Sequence, residues 1–189
     1  MPIKQQVETV TAYNSEAKKM AQLWLDNDCL ILDTETTGLD DYAEIIEISI
    51  IDGEFNVIFN TLIKPSCKIP KEVTAVNNIA DKDVEHEKTF DEIYPRLKAI
   101  LRDRLVIIYN SKFDTRMLNQ TIDLYDLKRI KFKSECAMLL FSKFIDVKKW
   151  QKLSEATEHM NIKFINQHQA LSDCEATLKL IKAIADYTN

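Results

Sequence analysis

The chain has 189 residues, 46% of them hydrophobic and 29% charged, with a formal net charge of −5 and a pI near 5.3. That length supports one folded core without disulfide or metal staples, and no apolar run approaches the ~20 residues a membrane-crossing helix needs. The acidic balance excludes a polyanion-binding surface spread over the whole molecule but leaves room for a local basic patch.

The predicted elements alternate between helix and strand. The opening "MPIKQQVETV" has no apolar signal-peptide core, so a cytoplasmic location is expected. An amphipathic helix over 15 to 27 precedes "CLILDTE" (29 to 35), a strand apolar on both faces until Asp33 and therefore central. The runs 44 to 52 and 55 to 63 flank Gly53 and read as a hairpin that extends the sheet. After a long connection, Thr89 and Glu92 have the spacing of a capping box, and Phe90, Ile93, Leu97 and Ile100 form a helical stripe. "LVIIYN" (105 to 110) is a buried strand feeding a helix that begins near Phe113. The segment 128 to 134, "KRIKFKS", alternates Arg129, Lys131 and Lys133 with Ile130 and Phe132, as an edge strand or a track for phosphates would. The last helix runs from about Ala170 to Tyr187, with Leu171, Cys174, Leu178 and Ile181 on one face. The four cysteines, Cys29, Cys67, Cys136 and Cys174, have no paired spacing and read as core thiols. The expected organisation is one α/β domain, a mixed sheet of about five strands flanked by helices over 29–189, with residues 1–28 as a helical extension packed on it.

Asp33 and Glu35 project from the same face near the carboxyl end of the central strand, where α/β sheets bind ligands. Two like charges so placed repel unless a cation lies between them. A D-x-E pair alone is common by chance, and further acids are required. Asp114 stands just past the 105 to 110 strand, and Asp173 lies in the first turn of the last helix. Each taken alone has the ordinary role of an acid favoured by a helix dipole. His168 precedes that helix on a loop, and Asn110 has the usual position of a turn residue. Ala170 gives the helix a small side chain where it can approach another element closely.

Together "DTETTGL", "NSKFD" and "HQALSD", in this order, resemble the three motifs of the DnaQ-like, DEDDh-type 3′-to-5′ exonucleases on the ribonuclease H-like fold. The resemblance covers about Cys29 to Asp186. A histidine five residues before the last aspartate marks the histidine branch of the family. The resemblance implies that Asp33, Glu35, Asp114 and Asp173 bind two divalent ions, Mg²⁺ or Mn²⁺, with Asp33 bridging them, and that His168 is the general base for the attacking water. It further implies that Thr36, Thr37, Gly38 and Leu39 lie against the terminal nucleotide, with Asn110 and Phe113 shaping the site. A turn with positive φ is the simplest structural reason for Gly38. The sequence departs from the family pattern at Tyr109, where many relatives have histidine, and at Asn77, where "NNIA" replaces a His-Gly-Ile-Thr turn.

The implied activity is hydrolysis of single-stranded DNA or RNA from a free 3′ end, releasing nucleoside 5′-monophosphates. The alternative is a weakly active nucleic-acid-binding or polymerase-associated proofreading module. The implied partners are nucleic acid and, as open alternatives, a DNA polymerase or a second copy of the chain, with no membrane.

Overall fold

The computed structural model describes residues 3–165 and 168–188, with side chains from residue 15 onward. Met1 and Pro2 of the expected 1–28 extension, and Asn166, Gln167 and Asn189 of the expected 29–189 domain, lie outside the described residues. In chain order the first elements are α1 (Ile3–Asp26), β1 (Leu30–Thr36), β2 (Ile45–Asp52), β3 (Val57–Leu62), α2 (Lys71–Asn77), α3 (Asp81–Val84) and α4 (Phe90–Leu101). They are followed by β4 (Leu105–Ile108), α5 (Ser111–Leu124), β5 (Lys133–Cys136), α6 (Ala137–Phe144), α7 (Leu153–His159) and α8 (Ala170–Ala185).

The five strands form one mixed sheet in the order β3-β2-β1-β4-β5. β1 is antiparallel to β2 and parallel to β4, so the carboxyl ends of β1 and β4 point the same way. Alternation along β1 divides the core in two. Ile31 faces a layer built from α1, α6, α7 and α8, where it meets Trp24, Phe141, Cys174 and Leu178. Leu30 and Leu32 face α4 and α5, against Phe90, Leu97, Met117 and Leu118. This is the five-strand sheet flanked by helices that the sequence led us to expect. α4 begins with the anticipated reciprocal cap, the Thr89 backbone N–H donating to Glu92 Oε2 at 2.9 Å.

Three local details differ from the sequence reading. α1 starts at Ile3 rather than near residue 15, because the β-branched Val7, Thr9, Val10 and Thr11 dilute the helical signal of its first half. α6 was not foreseen, being a single apolar-rich segment of eight residues directly after a strand. Of the segment 128 to 134 only Lys133 and Ser134 pair in the sheet, on its edge. Two of its cations are held by acids, Arg129 by Asp123 at 2.5 Å and Lys133 by Glu135 at 3.0 Å, which weakens its case as a phosphate track. The expected hairpin joins β2 and β3: Phe55 takes the left-handed conformation (φ 65°), and the Asp52 carboxylate holds the turn by accepting from the backbone N–H groups of Glu54 and Asn56.

Candidate active site

The alternation that sends Ile31 toward α8 sends Asp33 and Glu35 the same way. β2 pairs Ser49 with Asp33 and Glu47 with Glu35, so Glu47 stands beside Glu35 on the same face. The register shifts between Glu35 and Thr36, a bulge that turns the chain away from the sheet just after the second acid. α8 lies across β1 and β2, with the Cys174 thiol against the carbonyls of Ile31 and Ser49, and its first turn brings Asp173 over the strand end. Thr34 faces the opposite side. Its backbone N–H and its hydroxyl both donate to Asp114 Oδ1, at 3.2 and 2.8 Å, which ties the start of α5 to the end of β1. Asn110 makes that approach possible by taking the left-handed conformation (φ 63°) as the chain leaves β4 for α5, a conformation asparagine tolerates better than most residues.

All five sequence-predicted residues, Asp33, Glu35, Asp114, His168 and Asp173, line one cavity of about 700 Å³. Burial holds the Asp33 carboxyl well above the usual range, and the charges of Asp114, Asp173, Glu35 and Glu47 raise it further, so Asp33 stands where the fields of the other four acids meet. Glu35 is pushed up to about 8 by burial, then by Asp173, Glu47 and Asp114, against a hydrogen bond from Asn77. Burial raises Asp114 to about 7 despite its hydrogen bonds from Thr34, and Asp173 to about 7 despite the backbone N–H of His168. Ligand atoms of Glu35, His168 and Asp173 lie within 4.8 Å of one another. Asp173 Oδ1 is buried and, among the described residues, accepts no hydrogen bond. An orphaned carboxylate oxygen among mutually repelling acids is what a cation site looks like from the protein side, and hard oxygen donors suit divalent ions such as Mg²⁺ or Mn²⁺.

The remaining predicted residues form the wall opposite α8. Thr36, Thr37, Gly38, Leu39, Asn110 and Phe113 all border the cavity. The turn they make is braced from inside: Thr36 Oγ1 donates to the Gly38 carbonyl at 2.7 Å, and the Thr37 N–H to the Glu44 carbonyl at 2.8 Å. From α5, Arg116 donates to the Leu39 carbonyl and Gln120 to the Asp40 and Ala43 carbonyls. Leu39, 76% exposed, is thus presented on a fixed backbone. Gly38 does not adopt a positive φ, contrary to the sequence expectation, and a Cβ there would meet Ala43 Cβ at an ordinary 3.6 Å. What distinguishes the position is that it borders the cavity.

Two contributors escaped sequence reasoning. Glu47 reads as an unremarked polar residue in "EIIEISIID", yet its Oε2 accepts the Ala170 backbone N–H at 3.1 Å and so secures the start of α8 beside Asp173. Burial raises its carboxyl as well. The signal that could have found it is position: an acid in the strand paired to the one carrying Asp33 and Glu35, in register with Glu35. Asn77 drew notice as a departure from a family pattern. Its Oδ1 accepts the Ile79 N–H at 3.0 Å, leaving the amide to donate to Glu35.

A sheet with acids gathered at the carboxyl ends of β1 and β4, facing a cavity, is the layout of a divalent-cation site, and comparison with known proteins gives the family. The exonuclease family of the RNase_T type matches residues 30–181, and the chain belongs to it. A relative 37% identical over 185 residues, covering 91% of this chain and 95% of its own length, is the "Uncharacterized exonuclease CP81" of Escherichia phage 186. A "DNA polymerase III PolC-type" of Clostridium perfringens (strain 13 / Type A) is 26% identical over 83% of this chain, which spans only 11% of that protein. Among solved structures, the nuclease domain of 3′hExo, described as a DEDDh family member bound to rAMP, superposes with a TM-score of 0.73 at 17% identity, over 85% of this chain and 92% of that one. The protein is therefore an exonuclease-family nuclease on the fold those enzymes share. Among the described residues no helix is long and apolar enough to cross a membrane.

Proposed function

We propose that the chain is a metal-dependent 3′-to-5′ exonuclease that hydrolyses single-stranded DNA or RNA from the 3′ end and releases nucleoside 5′-monophosphates. The observation that carries this reading is the buried Asp173 Oδ1, without a partner among the described residues, in a cluster whose carboxyls are all held above their usual range. Asp33, Glu35, Asp114 and Asp173 would hold two divalent ions, Mg²⁺ or Mn²⁺, and the charges of the other acids converge on Asp33. When bound, such ions stabilise charge developing on the phosphoryl and leaving oxygens. His168, at the exposed rim beside Glu35 and Asp173, takes the proton of the attacking water. The Thr36–Leu39 turn and Phe113 receive the terminal nucleotide, and the brace from Arg116 and Gln120 keeps that pocket in register with the acids. Residues 29–189 would constitute the exonuclease domain, working in the cytoplasm, with residues 1–28 as its helical extension.

A second reading, a proofreading module bound to a DNA polymerase, is favoured by the polymerase relative named above. The same assay serves both. A 5′-labelled strand incubated with Mg²⁺ or Mn²⁺ should yield a ladder shortening from the 3′ end, and a bulky 3′ block should protect it. Single-stranded DNA, single-stranded RNA and a duplex with a mismatched 3′ end, run in parallel, rank the substrates. Shortening from the 5′ end, or normal turnover in excess EDTA, contradicts the proposal.

A further inference from the structure

Beyond His168 and Asp173 the cavity continues into a second lobe of about 320 Å³. The two lobes share Tyr109, Asn110, Leu153, His168 and Asp173 as walls, so Asp173 and His168 stand at the neck between them, with Asp33, Glu35 and Asp114 on the first lobe's side. Its walls include Trp150, Gln151 and Lys152, from the segment 148–152, "KKWQK", which enters α7. Trp150 borders the lobe with 60% of its surface exposed, a large area to leave in water for a side chain usually well buried. Lys152 borders the lobe as well, and Lys148 and Lys149 directly precede Trp150 in the chain; all three are exposed, and among the described residues none forms an ion pair. An acidic molecule has thus placed an aromatic face and three uncommitted cations together at the mouth of its acid site.

The segment is also held in place. Tyr109, the last residue before the Asn110 turn, donates its hydroxyl to the Gln151 carbonyl at 2.9 Å, latching the loop to the end of β4. The Lys152 N–H donates to Glu155 Oε2 at 2.9 Å and fixes the exit into α7. The residue that departs from the family pattern is therefore the one that anchors the tryptophan segment.

We infer that this second lobe is the binding site for the nucleotide immediately upstream of the terminal one, with its base unpaired and stacked on Trp150 and its backbone phosphates met by Lys148, Lys149 and Lys152. The inference rests on the proposed 3′-exonuclease reading. If the terminal nucleotide occupies the Thr36–Leu39 lobe and the scissile phosphate lies at the acids, the chain has to leave through the opposite lobe. Stacking on an indole needs a base free of its partner, and a ring face accepts any base, so the site selects single-stranded ends without selecting sequence.

The test compares two 5′-labelled oligonucleotides, identical except that one carries an abasic tetrahydrofuran unit at the second position from the 3′ end. For the wild type, removing that base should lower kcat/KM for the first cleavage about 10-fold, a usual scale for one base stacked on an aromatic ring. In Trp150→Ala the two substrates should be cleaved with equal kcat/KM, and Trp150→Phe should restore part of the difference. If Trp150→Ala keeps the full wild-type ratio, or if the wild type does not distinguish the substrates, the lobe is not an upstream base site. If the wild type shortens neither oligonucleotide, the exonuclease reading itself fails and the inference falls with it.

Discussion

Two carboxylate sites in the molecule are built in opposite ways. Glu44, 2% exposed, is saturated by the protein: it accepts the Ser66 N–H at 3.0 and 3.1 Å, the Ser66 hydroxyl at 2.6 Å and the Tyr125 hydroxyl at 3.4 Å. The cluster of Asp33, Glu35, Asp114 and Asp173 has acids for neighbours, Glu47 among them, and among the described residues leaves Asp173 Oδ1 without a donor. A buried acid that stabilises a fold finds its donors within the chain, whereas an acid kept for a ligand is left in deficit. The sites also differ in what removing charge should do.

The largest expected effect is on activity. Asp33→Ala should abolish hydrolysis while leaving the protein folded, since the substitution removes the acid at the centre of the repulsion and empties no hydrophobic core; a circular dichroism melt beside the degradation assay checks both halves. Next, His168→Ala should lower kcat by about 10²- to 10⁴-fold, the usual worth of a positioned general base, with substrate binding retained.

The contrast is sharpest in metal-free stability, where paired substitutions should have opposite signs. Glu44→Gln leaves donors from Ser66 and Tyr125 mismatched and should destabilise by roughly 1–3 kcal/mol while largely preserving activity per folded molecule. Asp173→Asn relieves repulsion with almost no change of shape, and should raise the metal-free melting temperature while eliminating activity. Denaturation of both variants in EDTA measures the two effects. If Asp173→Asn destabilises as Glu44→Gln does, the cluster is a structural network and the comparison collapses.

A smaller effect follows from pH. An acid whose folded pKa lies above its unfolded value holds its proton longer in the folded state, so stability falls as pH rises through that interval. With Glu35 near 8 and Asp114 and Asp173 near 7, metal-free protein should lose stability steadily from about pH 4 to about pH 8. Mn²⁺ should flatten that slope by compensating the carboxylates. Melting temperatures at pH 5.5 and 8 with and without Mn²⁺ decide it.

How much of this was legible in the sequence depended on whether the signal was local. The alternating order of strands and helices, the central strand that carries Asp33 and Glu35 and the cap at Thr89 follow from short-range pattern, and the structure has them. The residues expected at the site could be named because their motifs are ordered along the chain. Glu47 could not, because its part comes from register with Glu35 and from contact with Ala170, 123 residues away in sequence. The Tyr109 latch to Gln151 spans 42 residues and leaves no periodic trace. Gly38 misled because glycine invites a left-handed turn, when its φ is ordinary and the left-handed residues that border the cavity are Asn110 and His168. Alternating charge in "KRIKFKS" suggested a strand where most of the segment is irregular.

The most direct test of the central claim is calorimetric titration of the metal-free protein with Mn²⁺, comparing wild type, Asp173→Asn and His168→Ala. The account predicts that the wild type binds Mn²⁺, that Asp173→Asn loses affinity together with activity, and that His168→Ala keeps nearly wild-type affinity while losing activity alone. Equal loss of Mn²⁺ in both folded variants would make His168 a ligand, a role its approach to Glu35 and Asp173 permits. Undiminished Mn²⁺ binding by folded Asp173→Asn would contradict the assignment of these carboxylates as the metal site.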